Sequence, residues 1–399
     1  MFPRLVDYQS IIGKQAVNRI RNKAKSLEGK HVVHVNATAL GGGVAEMLHT
    51  LVFLMHDVGI TTGWRVMFGD RAFFDVTKGI HNALQGQSWS FTKEKKEVYQ
   101  TFTSRNAFLH HLDTHHDIVI IHDPQPLAMI QHYSHHAKWL WRCHIDITHA
   151  HKPVFSYLKQ YINQYDGVIV SSEAYKKKEI KVPTRIVYPA IDPRSEKNKP
   201  IDAQRILQQH GILTNKPILL QVSRFDPWKG YDDVLRVYEQ VQQDCQLVCI
   251  GNMASDDPEG PKLFEDFLQK TKQFSNVTVL TENNDHLVNA LQQKASVVLQ
   301  LSKREGFGLT VAESLWKKTP VVATKVGGIP QQIVHGKTGY LVDNVDEAVR
   351  KVRYLLRHKQ KAKEMGIAGH YYVKEHFLIT RLLEDYLDMF HALLPASRF

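Results

Sequence analysis

Short runs of β-branched and aliphatic residues alternate along this chain with longer segments whose apolar positions recur every three to four residues. In the first half "HVVHVNAT" (31–38), "WRVMFG" (64–69), "DIVIIHD" (117–123) and "GVIVSS" (167–172) read as strands, each ending near small or polar residues. "VAEMLHTLVFLMHDVG" (44–59) reads as the helix that follows the first of them. This alternation predicts parallel α/β units, so the fold class is α/β. "RIVYPAID" (185–192) closes the first half, and the polar stretch "DPRSEKNKPIDAQ" (192–204) reads as a linker. The alternation then restarts, with strands expected at 216–223, 246–251, 276–280, 296–302 and 320–324. The final segment, "FLITRLLEDYLDMFHALL" (377–394), places Leu382, Leu383, Tyr386, Leu387, Phe390 and Leu393 at helical spacing. It either completes the second domain or crosses back to the first.

Size and composition narrow the function classes. A chain of 399 residues exceeds one ordinary core, so two domains are expected. No apolar run approaches the roughly 20 residues a spanning helix needs, and "MFPRLVDYQS" lacks the apolar core of a signal peptide. Three cysteines make no disulfide framework and favour a reducing cytoplasm; Cys245 and Cys249, in "CQLVCIG", read as packing in a buried strand. The net charge of +11 points to an anionic partner, and nucleic acid, anionic lipid or a phosphorylated small molecule would each answer it. The basic residues are scattered, however, with "YKKKEIK" (175–181) the densest run and no aromatic-laced basic stripe. Small-molecule substrates are therefore expected, without nucleic acid or membrane; a homodimer is compatible with the sequence. The 23 histidines cluster at 110–116, 132–136 and 144–151 without a zinc spacing, so no metal site is expected.

Four loops could carry chemistry, because ligands of open parallel sheets collect at the carboxyl ends of strands. In "NATALGGGVAEML", Gly41, Gly42 and Gly43 separate a strand from a helix and would let backbone N–H groups approach an anion or a sugar. A dinucleotide fingerprint is incomplete there, since Glu46 replaces its third glycine and Asp70 lies too far on; a plain tight turn fits equally well. In "SRFDPWKGYDD", Arg224 and Lys229 are cations at a strand end, which Pro227 and Gly230 could turn toward one diphosphate. In "SKREGFGLTVAESL", Glu305 precedes Gly306, Phe307 and Gly308 at the expected start of a helix, where backbone N–H groups and the helix dipole would favour its carboxylate. Glu313 lies one turn into that helix, on the side of Leu309 and Thr310, and the two carboxylates suit two separate polyol groups. Each loop alone is compatible with ordinary surface or capping roles, but a cation pair plus a glutamate pair in one α/β domain describes a nucleotide-sugar pocket. The phosphates would meet Arg224 and Lys229, the ribose Glu313 and the transferred sugar Glu305. The fourth is "KWLWRCHIDITHAHKP", in which Arg142, His144 and Asp146 alternate as on one strand face, with Asp123 directly after "IVIIH". These side chains could orient sugar hydroxyls, or be satisfied locally.

These motifs resemble those of the retaining glycosyltransferases of the GT-B fold, in the branch of sucrose and trehalose synthases. The similarity extends over nearly the whole chain through "GGGVAEMLHTLV", "FFDVTKGIHNALQG" and "WRCHID", which resemble the trehalose glycosyltransferring synthases. The resemblance implies two Rossmann-like domains: 1–190 on the acceptor side, 191–375 binding the nucleotide sugar through Arg224, Lys229 and the stretch Glu305–Glu313. A helix, 376–399, would pack back on the first domain. It implies Gly42 and Gly43 at the donor, catalytic roles for Arg224, Lys229, Glu305 and His144, and acceptor contacts for Asp123, Arg142 and Asp146. Transfer of glucose from a nucleoside-diphosphate glucose to a free sugar, with retained configuration, would then yield trehalose. No cofactor is implied beyond the donor itself, and Mg2+ is compatible with the sequence but not required by it. A trehalose phosphorylase and an NAD-dependent oxidoreductase using the Gly41–Gly43 loop are the competing readings.

Overall fold

Neighbouring strands run parallel throughout two six-stranded sheets. The computed structural model describes residues 2–40, 42–112, 115–134, 136–251 and 260–394, and the chain divides into two units. One comprises Met1–Ala190 with Ile379–Phe399, the other Ile191–Leu378. The chain thus leaves the second unit at Leu378, three residues beyond the expected 375, and the helix Ile379–Leu393 belongs to the first unit.

The first sheet contains β1 (His31–Asn36), β2 (Thr61–Val66), β3 (Ile118–His122), β4 (Lys138–Arg142), β5 (Gly167–Val170) and β6 (Thr184–Ile186). Their order is β2-β1-β3-β4-β5-β6, which reverses direction between β1 and β3. Strands buried on both faces need β-branched and aliphatic residues throughout, and "VVHV" and "IVII" supply them. Val33, Val35, Val119, Ile121, Trp139, Trp141, Val168 and Val170 enter one core, beneath helices Arg71–Leu84, Lys93–His110 and Lys152–Ile162. Alternation turns His34, His122 and Arg142 to the opposite face, where Tyr386 of helix Ile379–Leu393 meets the His34 ring.

The second sheet contains β7 (Ile218–Val222), β8 (Gln246–Ile250), β9 (Val277–Leu280), β10 (Val297–Gln300), β11 (Val321–Thr324) and β12 (Gly339–Val342). Its order, β12-β11-β10-β7-β8-β9, reverses direction between β7 and β10. Cys245 and Cys249 are buried in this core, and burial raises both thiol pKa values, as packing residues require. The segment 192–204 is not a free linker. Asn289 Nδ2 donates to the carbonyls of Glu196 and Lys199 at 2.9 and 2.8 Å, and Lys317 Nζ reaches Asn198 Oδ1 at 2.6 Å. Its backbone and Asn198 are therefore tied to helix Asp285–Lys294 and to Lys317, at the end of helix Leu309–Trp316.

Candidate active site

Two constellations stand at the strand ends that flank the two reversals, where an open parallel sheet leaves a crevice. In the second unit, β7 runs out into Arg224 and β10 into Glu305. The Lys229 ammonium contacts both Glu305 oxygens, at 2.9 Å to Oε1 and 2.7 Å to Oε2. Gln300 Nε2 and Ser302 Oγ each donate to Glu305 Oε2 at 3.1 Å, so the carboxylate is positioned by β10 itself. Side chains, rather than the helix dipole alone, hold Glu305. Lys229 is fixed from the other side, because Gln221 Nε2 of β7 donates to its carbonyl at 3.0 Å. Arg224 is half-buried and forms no ion pair with a described residue.

Two glycines make this approach feasible. Gly230 has φ +67°, and a Cβ there would lie 1.9 Å from the Leu301 carbonyl oxygen. Gly308, at φ +82°, starts helix Leu309–Trp316 and would press a Cβ to 3.1 Å from Glu305 Cγ. Gln332, which sequence reasoning passed over, ties this loop together. Its Nε2 donates to the carbonyls of Phe307 at 2.5 Å and Gly308 at 3.3 Å, while its Oε1 accepts from Ala312 N at 3.0 Å. Gly328 N donates to the Gly306 carbonyl at 3.2 Å, Phe307 packs against Phe377, and Thr310 Oγ1 donates to Val222 O at 3.3 Å. Leu309 is half-buried at the first position of the helix.

Glu313 is only 3% exposed and has partners different from those of Glu305. Gln292 Nε2 donates to Glu313 Oε2 at 3.1 Å, and Lys197 Nζ stands 3.7 Å from Oε1. Burial would raise this carboxyl, but Lys197, Lys317 and the Gln292 bond outweigh it and hold it below the ordinary glutamate value. Gln292 and Lys197 carried no motif; Lys197 sits in the stretch that reads as linker.

In the first unit, Gly42 caps helix Gly43–Asp57 beyond β1, and Gly41 lies outside the described residues. Asp123, directly after β3, has φ +64°, a left-handed conformation that a non-glycine residue adopts at a cost. Its Oδ1 accepts the His144 backbone N–H at 2.8 Å, and burial pushes its carboxyl up to about 7 against the pull of that bond and of Arg142. The structure therefore joins Asp123 to His144. It does not place Arg142, His144 and Asp146 on one strand face: β4 ends at Arg142, and Asp146, 3% exposed, turns the chain by accepting Thr148 N at 2.9 Å. Arg142 is 1% exposed, and its Nε and Nη1 have no hydrogen-bond partner among the described residues. Burial lowers the pKa of both Arg142 and His144. His144 also continues a row that composition hid. His34 Nδ1 lies 3.0 Å from His122 Nε2, and His122 Nδ1 lies 3.0 Å from His144 Nε2. The visible signal was a histidine, His34 or His122, on the same face of each apolar strand, "HVVHVN" and "IVIIH".

Residues 34–177 match the family described as trehalose synthase, N-terminal domain, and 202–370 match glycosyl transferases group 1. A trehalose synthase of Pyrococcus horikoshii is 45% identical over 98% of this chain and 96% of its own length. The chain belongs to the trehalose synthase family of glycosyltransferases. A trehalose synthase of Rubrobacter xylanophilus is 42% identical over 98% of this chain and 97% of its own. Among solved structures, the sucrose-phosphate synthase of Thermosynechococcus elongatus superposes with a TM-score of 0.75 at 18% identity, covering 91% of this chain and 99% of that one. The fold is thus GT-B, and the protein is a hexosyltransferase. No described helix is long and apolar enough to cross a membrane.

Proposed function

We propose that the protein transfers glucose from a nucleoside-diphosphate glucose to free glucose, forming trehalose with retention at the anomeric carbon. The Lys229–Glu305 pair carries this reading. It lies at the reversal of the second sheet, where β7 runs out into the half-buried Arg224 and β10 leads to the N-terminus of helix Leu309–Trp316. A diphosphate suits that position because two cations and the helix N–H groups favour its charge, and they favour it more as charge grows on the leaving oxygen. The bond from the anomeric carbon to the phosphate oxygen breaks while the acceptor hydroxyl oxygen bonds to the same carbon from the same face. The acceptor's proton passes to the departing phosphate oxygen, so no protein carboxylate needs to act as a nucleophile. Glu305 would steady Lys229 and meet the donor sugar, and Glu313 Oε1, loosely paired with Lys197, would accept from the ribose. Gly42 and Gly43 would let the backbone close on the donor. His144 would hold an outer hydroxyl of that sugar, with Asp123, Arg142 and Asp146 serving the acceptor. Small molecules are then the partners, and neither metal nor further cofactor enters the step.

The test is product analysis with uridine, adenosine and guanosine diphosphate glucoses against a panel of free sugars, with linkage read by NMR. An α,α-linked disaccharide from a nucleotide glucose and glucose is the expected product. Turnover only from glucose 1-phosphate, with release of inorganic phosphate, would replace the reading with a phosphorylase.

A further inference from the structure

Three histidines from three adjacent strand ends lie in a hydrogen-bonded row within the first unit. His34 is wholly buried, His122 is 2% exposed and His144 is half-buried. Both N···N contacts are 3.0 Å and both pairs of ring centroids are 5.3 Å apart, with interplanar angles of 32° and 12°. The nitrogens face one another in pairs rather than converging on a point, which suits N–H···N bonds and not a metal. The titratable and charged groups around the row are Arg142, Arg381, Asp123 and Tyr386, and burial lowers the pKa of all three rings, His34 to about 3. Each ring is therefore neutral near pH 7, with one donor and one acceptor nitrogen.

A row of neutral imidazoles can run in only two directions. In one, every N–H points toward His144; in the other, every N–H points toward His34. The closed end decides between them. His34 Nε2 is buried without a hydrogen-bond partner among the described residues, next to the Tyr386 ring at 6.0 Å and 76°. If the row ran toward His34, a bare N–H would be stranded there. Buried orphan donors are rarer than under-used acceptors, and an unmet polar group costs about 1–3 kcal/mol. A row running toward His144 leaves only a lone pair unmet. The same dead end speaks against a proton conduit, since no described residue receives a proton from His34 Nε2.

We propose that His122 is a positioning residue that holds His144 in its Nδ1–H tautomer, presenting a hydrogen-bond donor at the carboxyl end of the first sheet, with His34 extending the row to its dry end. Asp123 supports the arrangement from the backbone by accepting the His144 N–H at 2.8 Å. The tautomer rests on the row alone; its effect on turnover rests on the function proposed above.

The test is the two-bond 1H–15N imidazole spectrum of the full chain labelled with 15N-histidine, with His144 assigned by the signal lost in His144→Asn. A protonated Nδ1 and a bare Nε2 at His144 are expected. His122→Leu should cost that ring its preference, whereas His122→Gln, whose amide both accepts and donates, should keep it. His34→Phe should keep it too, because His122 Nε2 then becomes the dry end. Turnover should follow, with kcat/KM roughly tenfold lower in His122→Leu, the scale of one misdirected hydrogen bond, and largely recovered in His122→Gln. An Nε2–H tautomer in the wild type overturns the proposal, and so does an unchanged His144 signal in a folded His122→Leu. If His122→Leu does not fold, the wild-type and His122→Gln spectra decide. The expected spectra together with no glucosyl transfer by the wild type would reject the proposed reaction and leave the tautomer lock standing.

Discussion

Lys229 and Glu305 are bound so closely that neither acts alone. Removing Glu305 leaves a cation without its orienting partner, and removing Lys229 leaves a carboxylate 8% exposed that has lost its cation and keeps the Gln300 and Ser302 bonds. Lys229→Ala should lower kcat by about 10²–10³-fold, since in the proposed reaction it acts on charge that develops in the transition state. On the proposed function Glu313 meets the ribose in both ground and transition states; Glu313→Gln keeps the shape but weakens that contact, so donor KM should rise roughly tenfold with kcat little changed. Steady-state kinetics with the active nucleotide glucose separates the two, and equal effects on both parameters in both variants would reject the division of labour. The histidine row makes a prediction in pH. Burial depresses the folded pKa of His34 to about 3, so the stability tied to its neutral form is present above the unfolded value of about 6.5 and lost as pH falls toward 3. Denaturant titrations between pH 6.5 and 4 should show the His34→Phe protein losing less stability on acidification than the wild type, by up to about 1.4 kcal/mol per pH unit. Asp123 works in the opposite sense: raised to about 7, it costs stability as pH rises from about 4 to 7, so it flattens the wild-type curve without reversing it.

At the scale of elements, the strands that sequence reasoning found are those whose runs are apolar at nearly every position, such as β3 and β10. β12 escaped notice because "GYLV" is four residues long and follows the turn-forming "HGKTG" with no period of its own. The Lys229–Glu305 contact was illegible for a different reason. The two residues are 76 positions apart, and they meet only because β7 and β10 are neighbours in the sheet, which is a property of strand order and not of either motif. Gly230 is the element-scale hinge of that contact. Alanine there would place its Cβ 1.9 Å from the Leu301 carbonyl oxygen at φ +67°, and a backbone oxygen has nowhere cheap to move. Gly230→Ala should therefore cost more than the roughly 1 kcal/mol of an ordinary strained glycine site and lower kcat together with stability. Gly211, also at φ +67° but with nothing within 4 Å of where a methyl would stand, is the control. If thermal unfolding shows equal losses for the two alanine variants, the close approach to Leu301 is not what requires glycine.

The first unit is completed by a helix whose destination its own sequence left open. The residues of 377–394 repeat at helical spacing, which shows that one face is buried but not against which unit. The structure seats Leu382, Leu383, Tyr386, Leu387 and Phe390, each at most 2% exposed, within the unit that begins the chain. Polar contacts border that face: Arg19 to Glu384 at 2.7 Å, Lys23 to Asp388 at 2.7 Å and Ser26 to His391 at 2.7 Å. The two sets should differ sharply in weight. Arg19 is 57% exposed at its side chain, so its ion pair is screened by water and is worth less than about 1 kcal/mol. Phe390 is 1% exposed, and truncating a buried phenylalanine costs about 3–5 kcal/mol through lost burial and the cavity left behind. Phe390→Ala should thus lower the unfolding midpoint of the first unit far more than Glu384→Gln, and about 0.5 M salt should narrow only the latter's difference from wild type. The readout must distinguish the units, since two cores need not unfold together. Hydrogen exchange at β1 and β3 reports the first unit, and exchange at β7 and β10 the second. Faster exchange confined to β1 and β3 in Phe390→Ala is expected, because the helix, far from both strands in sequence, completes the core on which His34 and Arg142 lie.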